Sequence, residues 1–88
     1  MQLRIRLFAE LVRTISGDVR QRYTEPIRSG RSFELTVPDD FSVANLIGFL
    51  KLPEDTVKVV FVNGRARERD WNLDSGDEVG IFPLVGGG

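Results

Sequence analysis

The chain of 88 residues contains no cysteine and no histidine. Without cysteine it has no disulfide framework, no thiol nucleophile and no thiolate metal site. Without histidine it lacks the commonest general base and the commonest metal ligand. Aromatics are few: one Trp, one Tyr and six Phe. No apolar run approaches the roughly 20 residues that a membrane-spanning helix needs, and the opening residues Met1-Gln2-Leu3-Arg4-Ile5-Arg6 hold no signal-peptide apolar stretch. An excess of one charge is missing too. Twelve Lys and Arg face thirteen Asp and Glu, for a formal net charge of −1, a balance that argues against nucleic acid or membrane as partner. Together these absences predict a cytoplasmic protein that binds no metal.

The length bounds the chain to one domain. A domain this small buries a little over about 60% of its unfolded surface, which leaves one modest core and no volume for a deep active site.

What is present concentrates at the C-terminal end. Glu78-Val79-Gly80-Ile81-Phe82 reads as an apolar strand, and Pro83-Leu84-Val85-Gly86-Gly87-Gly88 follows it. Pro83 has no N–H to give to a sheet, so strand pairing is expected to stop there. Six residues beyond the strand extend about 20 Å, and glycine, lacking Cβ, makes the end thin enough to thread a narrow channel. A thin, uncharged arm bearing a single carboxylate points to that carboxylate as the working group. A loose chain end is the alternative. The division expected is a domain over 1–82 and a flexible tail over 83–88.

Leu3, Ile5 and Leu7 alternate with Gln2, Arg4 and Arg6, which predicts a half-buried strand over 2–8. Arg4 and Arg6 fall on its polar face, as solvated residues or as partners of acidic groups elsewhere. Leu11, Val12 and Ile15 fit one side of a short helix, with Gly17 placed to end it. Residues 18–31 have no clear period and read as a long solvated loop. Its four arginines (Arg20, Arg22, Arg28 and Arg31) offer a contact surface as the alternative.

Phe33, Leu35 and Val37 alternate with Ser32, Glu34 and Thr36 in a second strand over 32–37 that Pro38 closes. Ser42 is a good N-cap, preceded by Asp39 and Asp40. Val43, Leu46, Ile47 and Leu50 then fall at i, i+3, i+4 and i+7, with Asn45, Gly48 and Lys51 off the stripe. This predicts the one substantial helix, over 43–51, with Pro53 beyond it. The nearly all-apolar run over 57–62 reads as a central strand covered on both faces. Asn63-Gly64 signals a two-residue turn, Arg65-Ala66-Arg67 a short returning strand, and Asp74-Ser75-Gly76-Asp77 another turn. Trp71 and Leu73 are expected to dock on the rim of the core. In the last strand, Val79 and Ile81 face one way, Gly80 and Phe82 the other. For Phe82, core packing and partner contact are both open.

The order β-β-α-β-β-β, with one helix covering a mixed sheet of four or five strands, is an α+β arrangement with the layout of the ubiquitin-like β-grasp. Two stretches carry a more specific resemblance. Leu7-Phe8-Ala9-Glu10-Leu11-Val12-Arg13 resembles the "F-A-x-(L/V)-R" start of the MoaD-type sulfur carriers. Val62-Asn63-Gly64 and the run from Leu73 to Gly88 resemble the ThiS/MoaD ending "V-N-(G/x) … L-x-x-G-D-E-V-x-(I/F)-x-P-x-x-G-G". The match covers nearly the whole chain. It departs from the family in the arginine-rich 18–31 stretch and in having three terminal glycines, of which Gly87-Gly88 match the family pair and Gly86 takes a position where Thr or Ser is also found.

The resemblance implies a carrier used as a substrate rather than an enzyme. In that family an E1-like adenylating enzyme (MoeB- or ThiF-like) supplies ATP and Mg and adenylates the C-terminal carboxylate, which becomes a thiocarboxylate. The sulfur then passes to a synthase subunit, and the carrier alone is expected to be a monomer that holds no cofactor stably. Carried over, Gly88 bears the reacting carboxylate, Gly87 threads with it, and Phe82, Pro83, Leu84, Val85 and Gly86 meet the partner. The MoaD-like start leans towards molybdopterin-type cofactor biosynthesis. Thiamin, tRNA thiolation and cysteine synthesis remain alternatives, as do conjugation to lysines as a protein modifier and a plain interaction module. The residues agree on one point: the chain has no Gly-rich phosphate loop opening a helix, so activation must come from another protein.

Overall fold

The computed structural model describes residues 1–84. Its elements are β1 (Gln2–Leu7), α1 (Leu11–Thr14), α2 (Gly17–Arg20), β2 (Phe33–Thr36), α3 (Val43–Phe49), a 3-10 turn (Glu54–Thr56), β3 (Val57–Val62), β4 (Arg65–Arg67) and β5 (Glu78–Pro83). The five strands form one sheet in the order β2-β1-β5-β3-β4. β1 and β5 run parallel at its centre, and the other neighbours are antiparallel. This is the ubiquitin-like β-grasp that the element order implies.

Alternation explains which face is covered. Leu3, Ile5 and Leu7 of β1 and Val79 and Ile81 of β5 are buried, and so are Val43, Leu46 and Ile47 of α3 and its C-cap Leu50, a stripe packed on that side of the sheet. Arg4 and Arg6 lie on the other side, where Arg4 Nη2 stands 3.8 Å from Glu34 Oε1 and Arg6 Nη2 3.6 Å from Glu78 Oε1. Both are half-exposed pairs of the kind worth little to stability.

The start of α3 satisfies its free N–H groups in full. Asn45 N donates to Ser42 Oγ at 3.1 Å, and Ser42 N donates to Asn45 Oδ1 at 3.0 Å, a capping box built with Asn. Val43 N and Ala44 N donate to the carbonyls of Trp71 and Arg69, both at 2.9 Å. The 68–73 segment thus straps across the helix start, a long-range role with no signature in local sequence. Leu73 is buried as expected. Trp71, by contrast, stays 40% exposed, its ring covered instead by the Arg67 guanidinium at 3.8 Å.

The helix ends at Phe49, two residues before the stripe suggests. Leu52 N donates to Ile47 O and Lys51 N to Gly48 O, both at 3.1 Å, with Lys51 at φ +57°. That is a Schellman ending with lysine where glycine is usual. A left-handed non-glycine residue costs about 1–2 kcal/mol. Lys51→Gly is therefore expected to raise the stability measured by urea unfolding by up to about 1 kcal/mol, once glycine's own entropic cost is subtracted.

Three further expectations are corrected. Gly17 does not end α1. It opens α2, whose N-cap Ser16 accepts a hydrogen bond from Asp18 N at 3.2 Å, while α1 stops because Ile15 turns extended at ψ 147°. The 18–31 stretch is not simply solvated. Val19 and Ile27 are buried in the core, and Tyr23 packs edge-on against Phe33 at 5.3 Å. Finally, β3 is not covered on both faces. Val57, Val60 and Val62 are buried, whereas Val59 and Phe61 are half-buried on the open side. The three-then-two spacing of the buried valines requires one extra residue, and a register shift between Val57 and Val59 supplies it at Lys58.

Tyr23 hydrogen-bonds through its hydroxyl to the Glu34 carbonyl. Burial raises its phenol above the ordinary value near 10; Glu34 adds to the rise and Arg22 opposes it. The fold therefore favours the neutral phenol. Its contribution is complete below about pH 10 and is lost as pH rises through the raised folded value. Stability measured across the alkaline range is expected to fall less steeply in Tyr23→Phe than in the parent.

Candidate functional site

The site is the end of β5 and the open face of the sheet beside it. Val79 and Ile81 anchor β5 in the core, which turns Gly80 and Phe82 to the open face. Pro83 does not stop the pairing: it sits opposite Val57, and Leu84 N then donates to Thr56 O at 2.8 Å. The physical reason lies in the other neighbour. The β1–β5 register ends at Leu7 opposite Ile81, so β5 has outrun β1 by Pro83 and the missing N–H faces no acceptor there. Pro83 is buried, and Leu84 is 51% exposed. The end of β5 is thus held to the sheet as far as Leu84.

Phe82 lies within the strand, as expected, and it belongs to the open face rather than the core. Its ring stacks on Phe8 with centroids 4.1 Å apart and planes 9° from parallel, and it meets Phe61 edge-on at 5.4 Å. The three rings come from neighbouring parts of the sheet. β1 ends before Phe8, β3 carries Phe61 and β5 carries Phe82. Phe8 and Phe61 were not singled out from sequence. The signal was available: the alternation that buries Leu7 and Val60 sends the residue after each to the opposite face.

Around these rings is an open hollow of about 490 Å³ lined also by Arg6, Asn63, Gly64, Glu78 and Gly80. A Cβ on Gly80 would meet the Phe82 and Phe8 rings at 3.6 and 3.7 Å, ordinary contact, so glycine there keeps the floor low without being sterically required. The rim is rigid. Asn63 N donates to Glu78 O at 2.8 Å, Glu78 N to Asn63 Oδ1 at 2.9 Å, and Asn63 Nδ2 to Asp77 Oδ1 at 2.9 Å. Asn63 and Gly64 take φ +52° and +86°, the pair of positive angles that an Asn-Gly hairpin turn requires.

Of the residues expected to carry function, Phe82, Pro83 and Leu84 come together at this exit. Val85, Gly86, Gly87 and Gly88 lie outside the described residues. Among the described residues no group of three or more Asp or Glu is placed to hold a metal ion, and no helix is long and apolar enough to cross a membrane. The arrangement is suited to presenting a chain end beside an apolar face.

Comparison with known proteins agrees with this geometry. The model of the ThiS family matches residues 5–88. No curated protein sequence gives a match. Among solved structures, a putative molybdopterin converting factor subunit 1 from Pyrococcus furiosus superposes with a TM-score of 0.64 at 23% identity, covering 97% of this chain and 99% of its own. The small archaeal modifier protein 1 of Haloferax volcanii gives 0.61 at 21% identity, over 96% and 98%. The complex of subunits 1 and 2 of molybdopterin-converting factor from Helicobacter pylori gives 0.55 at 17% identity, over the full length of both chains.

Proposed function

The chain belongs to the ThiS family of ubiquitin-like sulfur carriers, and on that premise we propose that it carries sulfur as a thiocarboxylate on Gly88 for molybdopterin-type cofactor biosynthesis. The observation that carries this reading is that the family match runs to the last residue, so β5 and the glycine end are matched together. The chain acts as a substrate. A Gly88 carboxylate oxygen attacks the α-phosphorus of ATP, pyrophosphate leaves, and an acyl-adenylate forms. A sulfur donor then displaces AMP from the acyl carbon. The ATP and Mg are supplied by an E1-like adenylating enzyme.

The chain's own part is positioning. β5 fixes the root of the arm at Leu84, and Phe8, Phe61 and Phe82 offer a fixed apolar surface next to it. Burying such a surface drives association in proportion to the apolar area covered. A synthase subunit is the second partner; the Helicobacter pylori neighbour is itself a complex of two subunits.

A second reading, conjugation to lysines of other proteins, draws on the small archaeal modifier neighbour and shares the adenylation step. The test is ATP–pyrophosphate exchange by an E1-like enzyme. Exchange is expected only when this chain is added. Exchange that ignores the chain, with every such enzyme tried, contradicts the proposal.

A further inference from the structure

The carbonyl of Val57 lies where the sheet has no strand to bond it. Leu84 N donates to Thr56 O at 2.8 Å. Carbonyls of successive strand residues point to opposite sides, so Val57 O turns away from β5, towards the side of β4. β4 does not reach it, because the β3–β4 register ends at Arg67 opposite Val60. Arg69, just past the end of β4, fills the gap with its side chain. Its Nη2 donates to Val57 O at 3.0 Å and its Nε to Glu54 Oε1 at 2.6 Å. One guanidinium fork thus ties the start of β3 to the turn over 54–56, and a lysine ammonium lacks that planar fork.

Little else holds this turn. Thr56 N and Thr56 Oγ1 both donate to Pro53 O, at 3.0 and 2.6 Å, and those bonds are local. Among the described residues no other side chain from a distant part of the chain hydrogen-bonds to 54–57. The same turn carries the last backbone bond of β5 among the described residues, from Leu84 N to Thr56 O. Gly88 is four residues further on. Where Thr56 O stands therefore sets where those four residues begin.

We propose that Arg69 is a positioning residue for Gly88: by bracing the 54–57 turn it holds Leu84 fixed, so that the glycine end starts from one place when an adenylating enzyme takes it up. The inference deepens the carrier reading and rests on it. Fixing the backbone of one freed residue again costs a factor of roughly five or more. That cost falls on the step that brings the carboxylate to ATP, where placement governs rate, and not on the seating of the body.

The test compares the full chain with Arg69→Ala and Arg69→Lys. Both substitutions leave the Arg69 carbonyl on Ala44 N, so the strap across α3 stays. The first measurement is backbone nitrogen relaxation of each chain alone. In the parent the Leu84 amide is expected to be rigid, with an order parameter of about 0.85, and in Arg69→Ala to fall below about 0.6 while Ile81 stays rigid. The second is ATP–pyrophosphate exchange against carrier concentration. In Arg69→Ala kcat is expected to fall about fivefold with KM within about twofold of the parent. Arg69→Lys keeps the charge but not the fork, and is expected to fall between the two in both measurements. It carries the comparison if the alanine variant does not fold. A Leu84 order parameter unmoved by substitution, or a kcat within about twofold of the parent once Leu84 is loosened, overturns the inference and leaves the carrier reading intact. A rise in KM alone overturns it too and makes Arg69 a contact residue. Failure of the unmodified chain to support any exchange overturns the carrier reading and this inference together.

Discussion

Removing Gly87 and Gly88 is expected to reduce adenylation to the level seen without the carrier, while thermal unfolding stays as in the parent. The two halves of this result have separate causes. Among the described residues the last backbone bond that fastens the chain to the sheet is from Leu84 N to Thr56 O, and the last buried side chains are those of Ile81 and Pro83. Truncation beyond Leu84 leaves all of these contacts in place. Activity is lost because the carboxylate moves back by two residues, about 7 Å, and a misplacement of about 1 Å already costs on the order of 100-fold. Deleting Gly88 alone is the sharper variant. The end is still Gly-Gly, so a loss there reports distance and not glycine content. Retained activity would show that the third glycine is a spare residue.

Leu46→Ala is expected to lower stability by about 2–5 kcal/mol. Leu46 is fully buried on the face of α3 that meets the sheet, and this small domain has one core cluster to absorb the vacancy. A domain of this size has total stability of roughly 4–13 kcal/mol. A 1 kcal/mol loss lowers the melting temperature by about 4–8 °C, so calorimetry should show a fall of order 10–30 °C. Leu84→Ala, at the exposed exit, is expected to leave the melting temperature nearly unchanged. If the two substitutions had similar effects, the division between a packed body and a presented end would be wrong.

The parts of the fold that were legible in the sequence are those governed by local periodicity. The stripe Val43-Leu46-Ile47-Leu50 behind Ser42 can be satisfied only by a helix with one buried side. The alternation in β1 and β5 can be satisfied only by strands with one buried face. The Asn63-Gly64 turn follows from backbone sterics alone.

What was hidden depends on contacts distant in sequence. The strap from 68–73 exists because the first N–H groups of α3 need acceptors, and no residue in the strap advertises that role. The bulge at Lys58 shows only as a misfit in valine spacing. Val19, Tyr23 and Ile27 are four residues apart, but the helix they hint at stops at Arg20, and tertiary packing takes over. At the site, Pro83 was read through its missing donor, yet the consequence depended on where β1 ends. Phe82 could be placed on the open face only once its partners Phe8 and Phe61 were in view.

The account rests on Gly88 as the sulfur-bearing group. The direct measurement is the intact mass of the protein after incubation with an E1-like enzyme, Mg-ATP and a sulfur donor, followed by fragmentation of the C-terminal peptide. The account predicts a gain equal to exchanging one oxygen for sulfur, located on Gly88 and absent without ATP. An unchanged mass under conditions where the chain supports pyrophosphate exchange, or a gain located on any other residue, would contradict it.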